Sequence, residues 1–327
     1  MIVVTGGTGF IGSNLVAALE EQEVGEIAVV DSFGVGDRWK NLAKRELAAV
    51  VAPSACIDYL NANKQKVEMI FHMGAISSTT EQDVDLIIAN NFTFSLALWH
   101  WCARNQVRFV YASSAATYGD GSRGFRDDQT PDALAQLRPL NAYGWSKHLF
   151  DRRIIRLASE GTKPPQWAGL KFFNVYGPNE YHKGDMKSVV AKSYPVAAKG
   201  ETVRLFKSHH PEFADGGQLR DFVSVNDCVN VMSWLREHSD VNGIFNLGTG
   251  KARSFADLVR AVFSALGREP QIEYIDMPEN LRDRYQYYTQ AEMSRLTQAG
   301  YDRAFLSLED GVADYVKRYL SQMDPYR

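Results

Sequence analysis

The stretch VTGGTGFIGSN (Val4–Asn14) follows a short apolar run and opens a helical one. A chain that packs three or four glycines between a strand and a helix has few folds open to it. Gly7, Gly9 and Gly12 satisfy G-x-G-x-x-G, and Gly6, Gly9 and Gly12 satisfy G-x-x-G-x-x-G. The turn must be tight, the backbone must approach a pyrophosphate, and the helix must pack close to the strand. The free N–H groups of the helix start then face the phosphates. An acid at the end of the next strand strengthens the motif, and Asp31 stands there, placed to bind the adenosine ribose. Asp31 alone favours NAD, because a carboxylate repels a 2′-phosphate. Arg38, with Lys40 and Lys44 beyond it, offsets that and admits NADP, or forms a solvated helix face.

The order of elements predicts the fold. IVVTGG, EIAVVDSF, VEMIFHMGA, VRFVYASS and WAGLKFFNVYGP read as strands. Helices are expected at about 10–20, 38–49, 54–63, 84–104 and 141–160, with a Gly-, Asp- and Arg-rich loop at 119–131. This βαβα alternation of near-continuous apolar strands predicts an α/β fold, a Rossmann-type doubly wound parallel sheet. After Pro178 the pattern loosens into short strands such as VRLF, GIFNLG and QIEYID, and predicts a smaller C-terminal α/β substrate lobe. The expected division is residues 1–172 plus about 220–242 for the dinucleotide domain, and about 173–219 and 243–327 for the substrate lobe.

Composition excludes several classes. The net charge is −3, so no basic field draws the chain to nucleic acid or anionic lipid. The longest apolar stretches fall short of the ~20 residues of a membrane span. Cys56, Cys102 and Cys228 have neither metal nor disulfide spacing, so no metal is expected and a reducing, cytoplasmic compartment fits. The start, MIVVTGG, has no charged segment or cleavage site, so no secretory signal is expected.

Chemistry is carried by NAYGWSKHLF. Tyr143 and Lys147 lie four residues apart, on one face of a helix. A nearby ammonium stabilises phenolate and makes tyrosine a usable base near neutral pH. YASSAATYG ends a parallel strand, and ligands bind at such carboxyl ends. Ser114 there is placed to hydrogen-bond a reacting oxygen.

The glycine turn, the strand-end serine and the Tyr/Lys pair, in this order, resemble the extended short-chain dehydrogenase/reductase family. NVYGP is similar to its nucleotide-sugar branch. Members take hydride from a sugar carbon to NAD(P), with tyrosine as base. Dehydratases of the branch carry an acid after the strand-end serine; Ala115 and Ala116 stand here, which disfavours elimination. FHMGAISSTTE, YGWSKHLFD, FFNVYGPNEYHKGDM, RDFV, GIFNLGTG and RYQYYTQAEM extend the resemblance from Met1 to about Tyr315. They resemble epimerases that invert the exocyclic C6″ of an ADP-linked heptose, a precursor of the lipopolysaccharide inner core of Gram-negative bacteria.

This resemblance implies a role for Lys183, in the HKG motif. Hydride must leave one face of C6″ and return to the other, so the oxygen meets two different donors. Tyr143 serves one half-reaction and Lys183 the other. His182 beside it orients the loop or is simply exposed. The resemblance also implies cofactor contacts at Gly6, Gly9, Phe10, Ile11, Gly12, Asp31, Ser32, Arg38, Met73, Gly74, Ala75, Ser77, Asn90 and Lys147. It implies substrate contacts at Asn174, Val175, Asp185, Lys192, Phe206, Arg220 and Tyr285. Arg220 grips the diphosphate or pairs with Asp221. Closed homo-oligomeric rings, commonly pentamers, are implied as well. The chain departs from the pattern at Asp185, where a serine is usual, at Lys192, where a histidine is usual, and in the insert KSHHPEFADGGQ. It also lacks a phosphate-binding lysine near Pro53. Two other readings remain on these residues: another enzyme of the branch, such as a UDP-hexose C4-epimerase, and an inactive cofactor-sensing regulator.

Overall fold

In the computed structural model, residues 1–282 and 286–327 are described. The first half alternates strand and helix: β1 (Ile2–Thr5), α1 (Phe10–Glu21), β2 (Ile27–Val30), β3 (Ala49–Val51), α2 (Cys56–Ala62) and β4 (Met69–His72). Then come α3 (Val84–Ile88), running through a wide turn into α4 (Ser95–Asn105), β5 (Arg108–Ser114), α5 (Pro131–Gln136), α6 (Ala142–Ser159) and β6 (Trp167–Phe172). The second half holds β7 (Asn174–Tyr176), α7 (Val189–Ala197), β8 (Val203–Phe206), β9 (Leu219–Ser224), α8 (Val225–Glu237) and β10 (Gly243–Leu247). It closes with β11 (Ala252–Ser254), α9 (Phe255–Ala265), β12 (Ile272–Ile275), α10 (Glu279–Arg282), α11 (Ser294–Gln298) and α12 (Leu308–Tyr315).

Seven strands form one parallel sheet in the order β10-β6-β5-β4-β1-β2-β3. Their apolar runs are buried on both faces: α1 and α8 pack one side, α2, α4 and α6 the other. This is the expected doubly wound Rossmann-type sheet. The strand order reverses between β1 and β4, the switch point where ligands bind in such sheets. The smaller lobe packs α7, α9 and α12 around β8 and β9. Its strands pair as β11-β9-β7 and β12-β8.

Three expectations change. Residues 38–49 do not make one helix: a 3-10 turn (Asp37–Leu42) is followed by β3, whose Val50 and Val51 extend the parallel pairing from β2. The run WAGLKFFNVYGP breaks at Phe173, so that β6 pairs with β5 and β10 while β7 pairs with β9. The chain's return to the large sheet also runs past residue 242. Gly243–Leu247 hydrogen-bonds to β6 as the sheet's edge strand, so this segment lies with the dinucleotide domain rather than the substrate lobe.

The glycine turn sits at the switch point. Gly6 has a left-handed φ of +67°, and a side chain there would lie 2.5 Å from the backbone of Gly74 after β4. A Cβ on Gly12 would lie 2.2 Å from the carbonyl oxygen of Gly6. Gly12→Ala must therefore push α1 off β1, at a cost of about 1–3 kcal/mol. Urea unfolding of the variant should show a lower midpoint with an unchanged slope.

Candidate active site

The dinucleotide cradle is built by the ends of β1, β2 and β4. Helix α1 starts at Gly9 with no side chain capping its first N–H groups, which leaves them for an anionic ligand. Phe10 is buried and Ile11 half-buried on this first turn. Asp31 accepts hydrogen bonds from the N–H and hydroxyl of Thr8. The N–H of Ser32 donates to its other oxygen at 2.8 Å. Arg38 forms an ion pair with Asp31 at 3.2 Å and donates to the Ser32 carbonyl. Lys40 pairs instead with Asp37 at 3.1 Å, and Lys44 with Asp324 at 2.9 Å. Met73, Gly74 and Ala75 continue from β4, with Gly74 against Gly6. The close backbone approaches and the open helix start fit a dinucleotide.

Two expected cofactor residues sit at the margin. Ser77 is exposed beyond Ala75. Asn90 donates back to the carbonyl of Leu86 on its own helix. Its neighbour Asn91 is the buried one, exchanging hydrogen bonds with the backbone of Ile76 and donating to Ser146 Oγ at 3.0 Å. The side chain of Asn91 thus ties the segment after β4 to α6.

The candidate reaction centre lies at the ends of β5 and the start of α6. Asn141 caps the helix by accepting from the Gly144 N–H at 2.8 Å. A Cβ on Gly144 would lie 2.7 Å from the carbonyl oxygen of Ala116, so glycine brings this first turn against the turn after β5. Tyr143 thereby lies where the hydroxyl of Ser114, the last residue of β5, favours its ionised form. Burial raises the phenol's pKa, the Ser114 hydrogen bond lowers it, and the Asp151 carboxylate raises it further. Burial brings the Lys147 ammonium down to about 8, opposed by the charge of Asp151. Both protonation states of Lys147 are therefore accessible near neutral pH.

Lys183 lies on a second wall. The 3-10 turn Tyr181–Met186 is kinked at Gly184, with φ 53°. Before it, buried Glu180 accepts from Ser188 Oγ at 2.6 Å and from the Ser188 N–H. Burial lowers the pKa of Lys183, and the charge of Glu180 opposes that. Lys183 Nζ stands 5.3 Å from the ring centroid of Phe10, so the motif lysine faces the glycine turn. His182 is exposed yet bonded: its Nδ1 is 3.2 Å from Asn41 Nδ2. Asn41 Nδ2 also donates to the carbonyls of Thr8 at 2.8 Å and Asn179 at 3.1 Å. The same amide thus holds the glycine turn, the NVYGPN segment and the imidazole together.

A cavity of about 690 Å³ opens in the smaller lobe, with Val189, Lys192, Ser193, Phe206 and Phe255 among its walls. Arg220 lies 5.6 Å from the Phe255 ring centroid. Its neighbour Asp221 accepts from the Thr249 N–H and hydroxyl, the Gly250 N–H and the Ala291 N–H, which anchors β9 to the segments beside it. Asn174 and Val175 lie on β7, and Asp185 is exposed on the kinked turn. Tyr285 lies outside the described residues.

Sequence reasoning missed Asn41, Glu180 and the buried pair Asp151–Lys171. A carboxylate four residues after Lys147 and one lysine inside the apolar strand WAGLKF were the available signals for the pair. Asn41 gave none, because only the folded chain places it beside residues 8, 179 and 182.

Nucleotide cradle and Ser/Tyr/Lys centre on a doubly wound sheet define a class of dinucleotide-dependent enzymes, and the comparisons agree. Residues 2–248 match the NAD dependent epimerase/dehydratase family, and the chain belongs to that family. Over the full length of both chains it is 51% identical to an ADP-L-glycero-D-manno-heptose-6-epimerase of Nitratidesulfovibrio vulgaris. It is 45% identical, again over both full lengths, to the enzyme of that name from Fusobacterium nucleatum. The crystal structure of Helicobacter pylori ADP-L-glycero-D-manno-heptose-6-epimerase matches with a TM-score of 0.78 at 29% identity, covering 97% of this chain and 95% of that one. The Thermus thermophilus UDP-glucose 4-epimerase complex with NAD matches with a TM-score of 0.76 at 26% identity, covering 98% and 99%.

The Asn41 amide generates a prediction. Asn41→Ala leaves the carbonyls of Thr8 and Asn179 without this donor, at a cost of about 1–3 kcal/mol. Urea denaturation of the two proteins should register the difference.

Proposed function

We propose that the protein is an epimerase that converts ADP-D-glycero-D-manno-heptose to ADP-L-glycero-D-manno-heptose at C6″, supplying a lipopolysaccharide core precursor. The first turn of α6, which carries Tyr143 with Lys147 one turn on and is packed against the turn after Ser114 beside the glycine cradle, is the observation that carries it. The full-length relatives that carry the heptose name favour this reading over a UDP-hexose C4-epimerase.

A bound nicotinamide supplies the chemistry of taking a hydride from C6″ and giving it back. The cradle residues Gly6, Gly9, Phe10, Gly12, Asp31 and Arg38 would hold the dinucleotide. Ionised Tyr143 takes the proton of the C6″ hydroxyl, with Ser114 orienting that oxygen and Lys147 stabilising the phenolate. The resulting ketone must show its opposite face before hydride returns. Its oxygen then leaves Tyr143, and the ammonium of Lys183 supplies the proton. Each turnover leaves a proton on Tyr143 and removes one from Lys183, and exchange with solvent restores both. Burial of Lys183 supports this role, because a lowered pKa makes the amine a workable donor and acceptor. The cavity beside Lys192, Phe206 and Arg220 accepts the nucleotide, with Asn174, Val175 and Asp185 nearer the sugar.

NADP is the proposed cofactor. Arg38 neutralises Asp31 and leaves a guanidinium beside the ribose site, which supports room for a 2′-phosphate. A homo-oligomer is proposed too, with exposed Val84, Leu86 and Trp145 as apolar surface available to a neighbouring copy. Three buried free cysteines suit a reducing, cytoplasmic setting.

Purified protein incubated with ADP-D-glycero-D-manno-heptose, without added reductant, should yield a mixture of C6″ epimers by NMR. Tyr143→Phe and Lys183→Ala should each lower turnover by about 10²–10⁴-fold. Full turnover in Lys183→Ala sinks the two-base reading. For the cofactor, Arg38→Ala should weaken NADP binding relative to NAD by about tenfold or more. Competition titration followed by mass spectrometry of the released nucleotide reads this.

A further inference from the structure

Beneath the reaction centre lies an ion pair shut off from water. The side chains of Asp151 and Lys171 are 0% and 1% exposed, with Lys171 Nζ 2.9 Å from Asp151 Oδ2. Asp151 follows Lys147 by four residues and Tyr143 by eight, so the three share one face of α6. From β5, Ser113 Oγ donates to Asp151 Oδ2 and the Tyr111 hydroxyl to Oδ1, each at 2.8 Å. Lys171 Nζ also donates to Thr117 Oγ1 at 2.6 Å and lies 4.9 Å from the Tyr118 ring centroid. Ser113 directly precedes Ser114, so the carboxylate is bonded to the strand end that carries the candidate serine.

Taking two charges out of water offsets most of their attraction, so a buried pair is weak evidence of stability. Its place next to Tyr143 suggests another use. Lys147 and Lys171 are cations and Asp151 an anion, so this buried cluster holds one surplus positive charge while Tyr143 is neutral. Without Lys171, the carboxylate would draw on the charge of Lys147 and oppose ionisation of the phenol. We propose that Lys171 is a positioning residue for epimerisation: by engaging Asp151 it leaves the charge of Lys147 to Tyr143, and the cluster is neutral when Tyr143 is a phenolate.

This rests on Tyr143 as the base. The charge of Asp151 acts on its neighbours as the scheme requires, favouring the protonated phenol of Tyr143 and the charged form of Lys147. The other titratable neighbours do not supply the missing balance. Tyr111 on β5 and Tyr118 after it are held protonated by burial. Burial also keeps His72 on β4 and His148 on α6 neutral at pH 7. Asp85 on α3 and Asp132 on α5 are exposed to solvent.

The test titrates Tyr143 itself, in the full-length protein with its cofactor. Phenolate absorbance is followed by ultraviolet difference spectroscopy, with Tyr143→Phe in the same background as the blank. Asp151→Asn keeps the shape and removes the negative charge, with its oxygen left to Ser113 and Lys171 and its NH2 donating to the Tyr111 hydroxyl. The ionisation of Tyr143 read by this absorbance should move down by about one pH unit. Lys171→Met should move it up by about one unit, and the double variant should return it near the wild-type position. Lys171→Arg should leave it unmoved. Opposite displacements from the two ends of one ion pair support the proposal, since loosened packing has no reason to reverse sign. Displacements in the same direction, or none, overturn it. Should Lys171→Met fail to fold, Asp151→Asn decides alone, and an unmoved titration overturns the proposal. The acid limb of turnover against pH should follow the titration. A protein without epimerase turnover that still shows both displacements would sink the heptose reading and leave the charge arrangement standing.

Discussion

Helix α1 begins so close to strand β1 that there is room for no atom beyond the Gly12 α-carbon at their contact. A methyl group there would meet the Gly6 carbonyl, and one on Gly6 would meet Gly74. These approaches set where the first N–H groups of α1 lie relative to β1 and β4. The cradle inherits its shape from them, and so does the position of Phe10, on which Lys183 rests. Asn41 transmits the same constraint further, since it bonds the Thr8 carbonyl on one side and Asn179 and His182 on the other. The wall that carries Lys183 is thus registered against the glycine turn by direct contact. The two-base reading proposed for Tyr143 and Lys183 needs such registration, because proton transfer demands hydrogen-bond reach of the substrate.

Three lysines around the site are handled in two ways. Lys147 has its charge opposed by burial and supported by Asp151. Lys183 has the same balance with Glu180 in the carboxylate's place. Lys171 is fully paired. An ammonium with a lowered pKa can exchange protons with a sugar oxygen, whereas a fully paired one acts only through its field.

Much of this was legible in the chain. The glycine spacing, Asp31, Ser114, Tyr143 and Lys147 form local motifs, and the fold brings each to the carboxyl edge that the parallel-strand rule demands. What stayed hidden depends on long-range pairing. Residues 38–49 carry enough helix formers to suggest a helix, but pairing with β2 takes their end into β3. GIFNLG reads as a strand, yet nothing in it tells that its partner is β6 rather than a strand of the smaller lobe. Asn90 and Asn91 are adjacent and chemically identical, and only the helix's rotation decides which of them is buried. Arg220 and Asp221 are adjacent too, but side chains on a strand alternate, and Asp221 is occupied by four donors from neighbouring segments.

The edge strand β10 has a consequence for how such a molecule can be altered by recombination. The chain leaves the large sheet after β6, returns through α8 to lay β10 beside β6, and leaves again toward β11. The smaller lobe is therefore an interleaved part, stitched to its neighbour at several points. No single crossover can exchange it for that of a relative: a joint near residue 173 alone would import a foreign β10 against the resident β6. The smaller lobe is more readily altered by point changes in its cavity walls, or by inserts such as residues 207–218, than by shuffling whole lobes.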